Sequence, residues 1–159
     1  MRARLIRTFA IGSLAMAPAA AMFVLLLPAM VAAQSPPPVS AMRAAEWKAI
    51  EAVIREQLAA MKAGDGAKAF AHAAPAIRQQ FGTPENFLAM VRAGYGALIA
   101  ARYTEFLEGA VIEGNVIQPL RLIAPDNTVL VALYTMQKQP DGSWKIAGCA
   151  LAPSTVQAA

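Results

Sequence analysis

Arg92, Tyr95 and Arg102 place two guanidinium groups around a phenol within a short stretch of chain. Guanidinium forks pair with carboxylates and phosphates through parallel N–H groups, and a phenol adds a hydroxyl, so this cluster suits the mouth of an anion site. Tyr134, in a later apolar run, is a fourth candidate lining residue. A plainer account, two surface arginines and packed tyrosines, fits the same pattern. For acid–base chemistry the candidates are Glu105 and Glu108, the two carboxylates inside a strand-like run. Three residues apart, they point to opposite faces of a strand and cannot line one pocket together without a bulge. Either one set opposite Tyr103 or Tyr134 would give the carboxylate base and phenolic oxyanion hole of a ketosteroid-isomerase-type site. Glu51, Glu56 and Glu85 fall on helical patterns, and Asp65, Glu113, Asp126 and Asp141 fall at caps or turns, where backbone reasons suffice.

His72 is the single histidine, which leaves no His-rich metal site and no catalytic pair with a histidine to spare. A lone general base is the role left to it. Cys149 is the single cysteine, so no internal disulfide forms, and beside Gly148 it reads as a small buried apolar residue. Gly94 and Gly96 have neither the spacing nor the strand-loop-helix context of a nucleotide loop, and no cofactor is expected.

The elements that must hold these residues are a sheet and its cover. From Asn115 to Leu151 three apolar runs are separated by Pro125-Asp126-Asn127 and Pro140-Asp141-Gly142, residues that favour tight turns, so a β-meander is expected. An earlier strand over 102–112, turning at Glu113-Gly114-Asn115, makes four. Both alternating faces of 129–136 are largely apolar, so helices must cover one face, and the other has room for a second, partial cover. Pro119 sits inside the second strand, where a missing N–H is costly, and a bulge or strand end is expected there. Upstream, Ser40 can cap a helix over 41–63 closed by Gly64, with Trp47, Ile50, Ile54, Leu58 and Met61 on one stripe. Asp65 caps a short second helix, Pro75 interrupts before 76–82, and Thr83-Pro84-Glu85 starts another that ends near Gly94. Helices followed by a curved four-stranded antiparallel sheet make an α+β domain with the helices on one sheet face. Its expected span is 41–152, with 153–159 a disordered tail.

Arg2, Arg4 and Arg7 precede a charge-free apolar run from Phe9 to Ala33, and Val31 and Ala33 fit the small-residue positions of a cleavage site. Residues 1–33 are thus expected to be a signal peptide and 34–40 a Pro-rich linker, which places the mature protein in the periplasm. An uncleaved anchor is the competing reading, and the only expected contact with a membrane. The net charge of +4 belongs to the leader: without it eleven basic residues face ten acidic ones. A neutral domain offers no basic face to nucleic acid. Roughly 120 residues remain, enough for one core.

The runs Ala69-Phe70-Ala71-His72-Ala73-Ala74-Pro75, Met90-Val91-Arg92-Ala93-Gly94-Tyr95, and Gly142-Ser143-Trp144-Lys145-Ile146-Ala147-Gly148-Cys149 resemble a family of exported bacterial proteins, domain of unknown function 4864 (DUF4864). The resemblance covers about 50–151 and implies a layout similar to the nuclear-transport-factor-2-like and cystatin-like folds, a sheet curled into a cone. It brings no catalytic residue. Where an aromatic would be usual this chain has His72, and after Tyr95 it has Ala97-Leu98-Ile99-Ala100-Ala101 in place of an extended, Pro-interrupted connection. The best-supported function is a non-catalytic small-molecule-binding or accessory domain. The alternatives are a small isomerase or hydrolase using a strand carboxylate, and a homodimeric module joined through the outer sheet face.

Overall fold

The computed structural model describes residues 42–154. The leader, the Ser40 cap, the linker and residues 155–159 lie outside that span.

Among the described residues five helices precede the sheet: α1 (Ala44–Ala63), α2 (Gly66–Ala71), α3 (Pro75–Phe81), α4 (Pro84–Gly94) and α5 (Gly96–Ile99). Local signals set their ends. Gly64 closes α1 at φ 74°, a left-handed conformation in which a side chain would be strained. Asp65 accepts the Lys68 N–H at 2.9 Å, and Thr83 accepts the Asn86 N–H at 3.2 Å, with Pro84 in the first turn of α4. Glu51 and Arg55, one turn apart on α1, pair at 2.9 Å. Ile50, Ile54, Leu58 and Met61 form the buried stripe of α1. Phe87 of α4 packs against Phe70 at 5.5 Å and edge-on against Phe81 at 5.8 Å, which ties α2, α3 and α4 together.

The sheet is open and antiparallel, with β1 (Tyr103–Phe106) and β2 (Ala110–Ile112) both pairing with β3 (Asn115–Ile123), followed by β4 (Val129–Lys138) and β5 (Trp144–Pro153). The single strand expected over 102–112 is therefore two, and the sheet has five strands rather than four. The Glu113-Gly114 turn carries φ of 50° and 81°, as a two-residue hairpin requires. Leu120 and Leu122 of β3 and Ala132, Tyr134 and Met136 of β4 are buried beneath the helices, while Ile117, Pro119, Leu133 and Thr135 lie on the outer face. The sheet reaches past the expected end at 152: Pro153 is in β5, and the Ser154 N–H donates to the Val129 carbonyl at 3.0 Å.

Pro119 does not bulge its own strand. It pairs in register with Leu133 on one side, and on the other side the partner strand breaks, between Phe106 and Ala110. The Leu107 N–H still donates to the Pro119 carbonyl at 3.1 Å, but proline has no N–H to return. The side chain of Gln118 supplies it. Its Nε2 donates to the Leu107 carbonyl at 2.7 Å and to the Pro119 carbonyl at 3.1 Å. Above the break lies Trp47 of α1, so close to Gly109 that a β-carbon there would collide with the indole. Arg55, two turns further along, sits 4.7 Å over the Phe106 ring.

Candidate functional site

Helices α1, α3, α4 and α5 do not settle fully onto the β4–β5 half of the sheet. Between them is a cavity of about 240 Å³, walled by Met61, Ile77, Phe87, Met90, Val91 and Leu98 above and by Tyr134, Ile146, Gly148 and Cys149 below. One β-bulge shapes its floor: the register moves from Thr135↔Gly148 to Met136↔Ile146, so Ala147 is the extra residue, and the strand bends there. Tyr134 and Cys149 are direct cross-strand partners and share the floor.

The polar lining is small and uncharged. Among the described residues it consists of Gln57, Gln80, Tyr95, Tyr134 and Cys149, with no Asp, Glu, His, Lys or Arg. Gln57, 3 % exposed, donates its Nε2 to the Ala69 carbonyl at 3.2 Å, which fixes the amide so that Oε1 is the free end. The Tyr95 hydroxyl donates to the Cys149 carbonyl at 2.7 Å. The Tyr134 hydroxyl is buried and has no hydrogen-bond partner among the described residues. Its neighbour, the Cys149 thiol, lies near enough to act on its ionisation as a weak hydrogen-bonding partner, but it falls short of full hydrogen-bond geometry. Burial, then the Cys149 thiol, holds the Tyr134 phenol well above its usual range. Burial likewise raises Tyr95 and pushes the Cys149 thiol up to about 12. All three are neutral near pH 7.

Of the four expected lining residues, the fold brings Tyr95 and Tyr134 to the cavity and leaves both arginines out of it. The anion mouth is not assembled, and the reason is local. Gly94 ends α4, and α5 turns Tyr95 inward while Arg92 stays on the exposed side, its guanidinium against Gly64 at the C-terminus of α1, where positive charge suits the helix dipole. Arg102 is exposed and donates to the Asn127 side chain in the β3–β4 turn. Glu105 pairs with Arg121 on the outer sheet face, Glu108 is exposed, and Tyr103 is exposed beside them, so no carboxylate faces Tyr134 in the cavity. His72 caps the end of α2, its Nε2 3.5 Å from Glu56, and burial holds its pKa below the ordinary value. Among the described residues no cluster of three or more His, Cys, Asp or Glu could hold a metal ion.

Gln57 was not singled out by sequence reasoning, although a signal existed: it falls three residues after Ile54 and four before Met61, a polar residue on the apolar stripe.

A family model, Domain of unknown function (DUF4864), matches residues 43–159. The chain belongs to this family. The span matched includes every element from α1 to β5, so the whole cavity lies within the DUF4864 domain. No curated protein and no solved structure matches the chain.

Proposed function

We propose that this DUF4864 domain is a non-catalytic binding protein for a small uncharged molecule, which it holds in the helix–sheet cavity. The observation that carries the reading is the lining itself, an unfilled space of about 240 Å³ bounded by apolar side chains and neutral polar groups. A general acid or base needs a group that titrates near the working pH, and the three titratable groups here are all held neutral by burial. Glu105, one of the two strand carboxylates an isomerase could use, is engaged by Arg121 on the other face of the sheet. The cavity position, between helices and an antiparallel sheet, is where a nuclear-transport-factor-2-like cone would hold its ligand. The site of action is the periplasm: Arg2, Arg4 and Arg7 ahead of a charge-free apolar run support export, with the mature chain starting at Gln34.

Native mass spectrometry of protein recovered from the periplasm tests both parts. The expected spectrum has a chain starting at Gln34 and carrying a small neutral adduct that denaturation releases. Uniformly ligand-free protein, unmoved in melting temperature by neutral small molecules, would overturn the binding reading; a chain retaining residues 1–33 in the membrane fraction would overturn export.

A second reading, self-association through the outer sheet face, is favoured by Leu133, Ile112 and Tyr103, which stand 39 %, 57 % and 51 % exposed on that face. Sedimentation at micromolar concentration tests it, and a monomer there rules it out.

A further inference from the structure

We infer that the cavity selects a molecule with an apolar body and one neutral head group, a hydroxyl or an amide, that accepts a hydrogen bond from Tyr134 and donates one to Gln57. This inference rests on the cavity being a binding site and goes on to name the chemistry it takes.

Two independent observations point to the head group. The Tyr134 hydroxyl is a donor with 1 % of its residue exposed and no partner, on a ring that lines the cavity floor. The Gln57 Oε1 is an acceptor on a second lining residue whose Nε2 is committed to Ala69, so the oxygen is the end of the amide left for a ligand. A buried donor left unpaired is costly, and a group that accepts from the Tyr134 hydroxyl on the floor while donating to the Gln57 oxygen on the helix side meets both. Hydroxyls and amides do this; a hydrocarbon does neither.

Charge decides between neutral and ionic heads. With no guanidinium, ammonium or imidazolium among the described residues of the lining, a carboxylate would enter without a counter-charge, and with no carboxylate there a bound ammonium would fare the same. The space sets the size. At roughly 30 Å³ for each water of the liquid, about 240 Å³ matches some eight waters, or a molecule of about ten non-hydrogen atoms.

Four probes with a common phenylethyl body separate these features: 2-phenylethanol, ethylbenzene, phenylacetate and phenethylammonium. Affinities are measured by calorimetry or ligand-observed nuclear magnetic resonance on the folded protein. The alcohol is expected to bind at least about tenfold more tightly than each of the other three, the scale of one hydrogen bond in a buried wall. Tyr134→Phe keeps the ring and removes the donor, so it should weaken the alcohol about tenfold and leave ethylbenzene unchanged. Gln57→Met provides a second variant, expected to lose the same preference for alcohol over hydrocarbon. If ethylbenzene or either ion binds the native protein as well as the alcohol does, or if both variants keep the alcohol preference, the head-group inference is wrong while the cavity remains a binding site. If none of the four binds, both fall together.

Discussion

Gln118 and Tyr134 face each other across β3 and β4, each 1 % exposed, and they differ in what their polar atoms do. On the β1–β2 side, Gln118 fills the gap that Pro119 leaves, donating to two carbonyls, and Trp47 closes over the break. On the β5 side, the Tyr134 hydroxyl meets no well-formed hydrogen bond among the described residues, and the helices stand off its ring. A buried hydrogen-bonding group left unmet costs about 1–3 kcal/mol. The seam avoids that cost within the chain; the cavity carries it. Adjacent polar residues on one sheet thus divide into a structural device and a group kept available.

The comparison can be broken at either side, and the largest effect is expected at the seam. Trp47→Ala removes the indole that lies on Gly109 and should lower the unfolding free energy by about 3 kcal/mol, the lower end for a truncated core aromatic because Trp47 is only partly buried. Chemical denaturation measures it, and a loss below about 1 kcal/mol would mean the break closes without the ring.

Next comes a test of how dry the cavity is. A thiol raised to about 12 is almost entirely protonated at pH 8, and the thiolate is the reacting form. Because a higher pKa means less thiolate at fixed pH, Cys149 should react with iodoacetamide at least about a hundredfold more slowly than free cysteine, whose pKa is about 8.5. A rate within about tenfold of free cysteine would show that water reaches this wall and that Tyr134 is not truly short of a partner.

Gln118→Leu should cost about 2 kcal/mol by orphaning the Leu107 carbonyl. The double variant Gln118→Leu, Pro119→Ala restores a backbone N–H at the same place, so it should recover a good part of that loss. Strict additivity of the two substitutions would refute the surrogate role of the glutamine.

The smallest effect belongs to Tyr134→Phe. Removing a hydroxyl that finds no hydrogen-bond partner among the described residues should stabilise the ligand-free protein by about 1 kcal/mol, the lower end of the cost of a buried group left unmet. A loss above about 2 kcal/mol would mean the hydroxyl already has a partner and the two sides of the sheet are alike.

Much of the fold was legible because its signals are local. Asp65 and Thr83 cap, Gly64 terminates, and the Pro/Asp turns after β3 and β4 fall where their φ preferences put them. The split of the first strand was not legible, since its causes are distant in sequence: a proline in β3 and a tryptophan on α1 acting on Gly109. The site was legible by half. Tyr95 and Tyr134 line the cavity, whereas Arg92 and Arg102 are near Tyr95 only along the chain; the turn between α4 and α5 sends neighbours in opposite directions. That Tyr134 would lack a partner depends on how far the helices stand from the sheet, and no residue pattern reports a distance.

Strand β5 pairs with β4 along one side only, yet its other side is not bare. The Ile146 N–H donates to the His72 carbonyl at 2.9 Å, the Ala74 N–H donates to the Ile146 carbonyl at 2.8 Å, and the Cys149 carbonyl accepts from Tyr95. Ten residues of unclaimed backbone would be a template onto which another copy could add a strand, the first step toward a fibril. The helical layer breaks that template near its start, at Ile146, and near its middle, at Cys149, and Pro153 removes a further donor at its end. Residues that wall the cavity or adjoin it therefore also keep one molecule from growing onto the next.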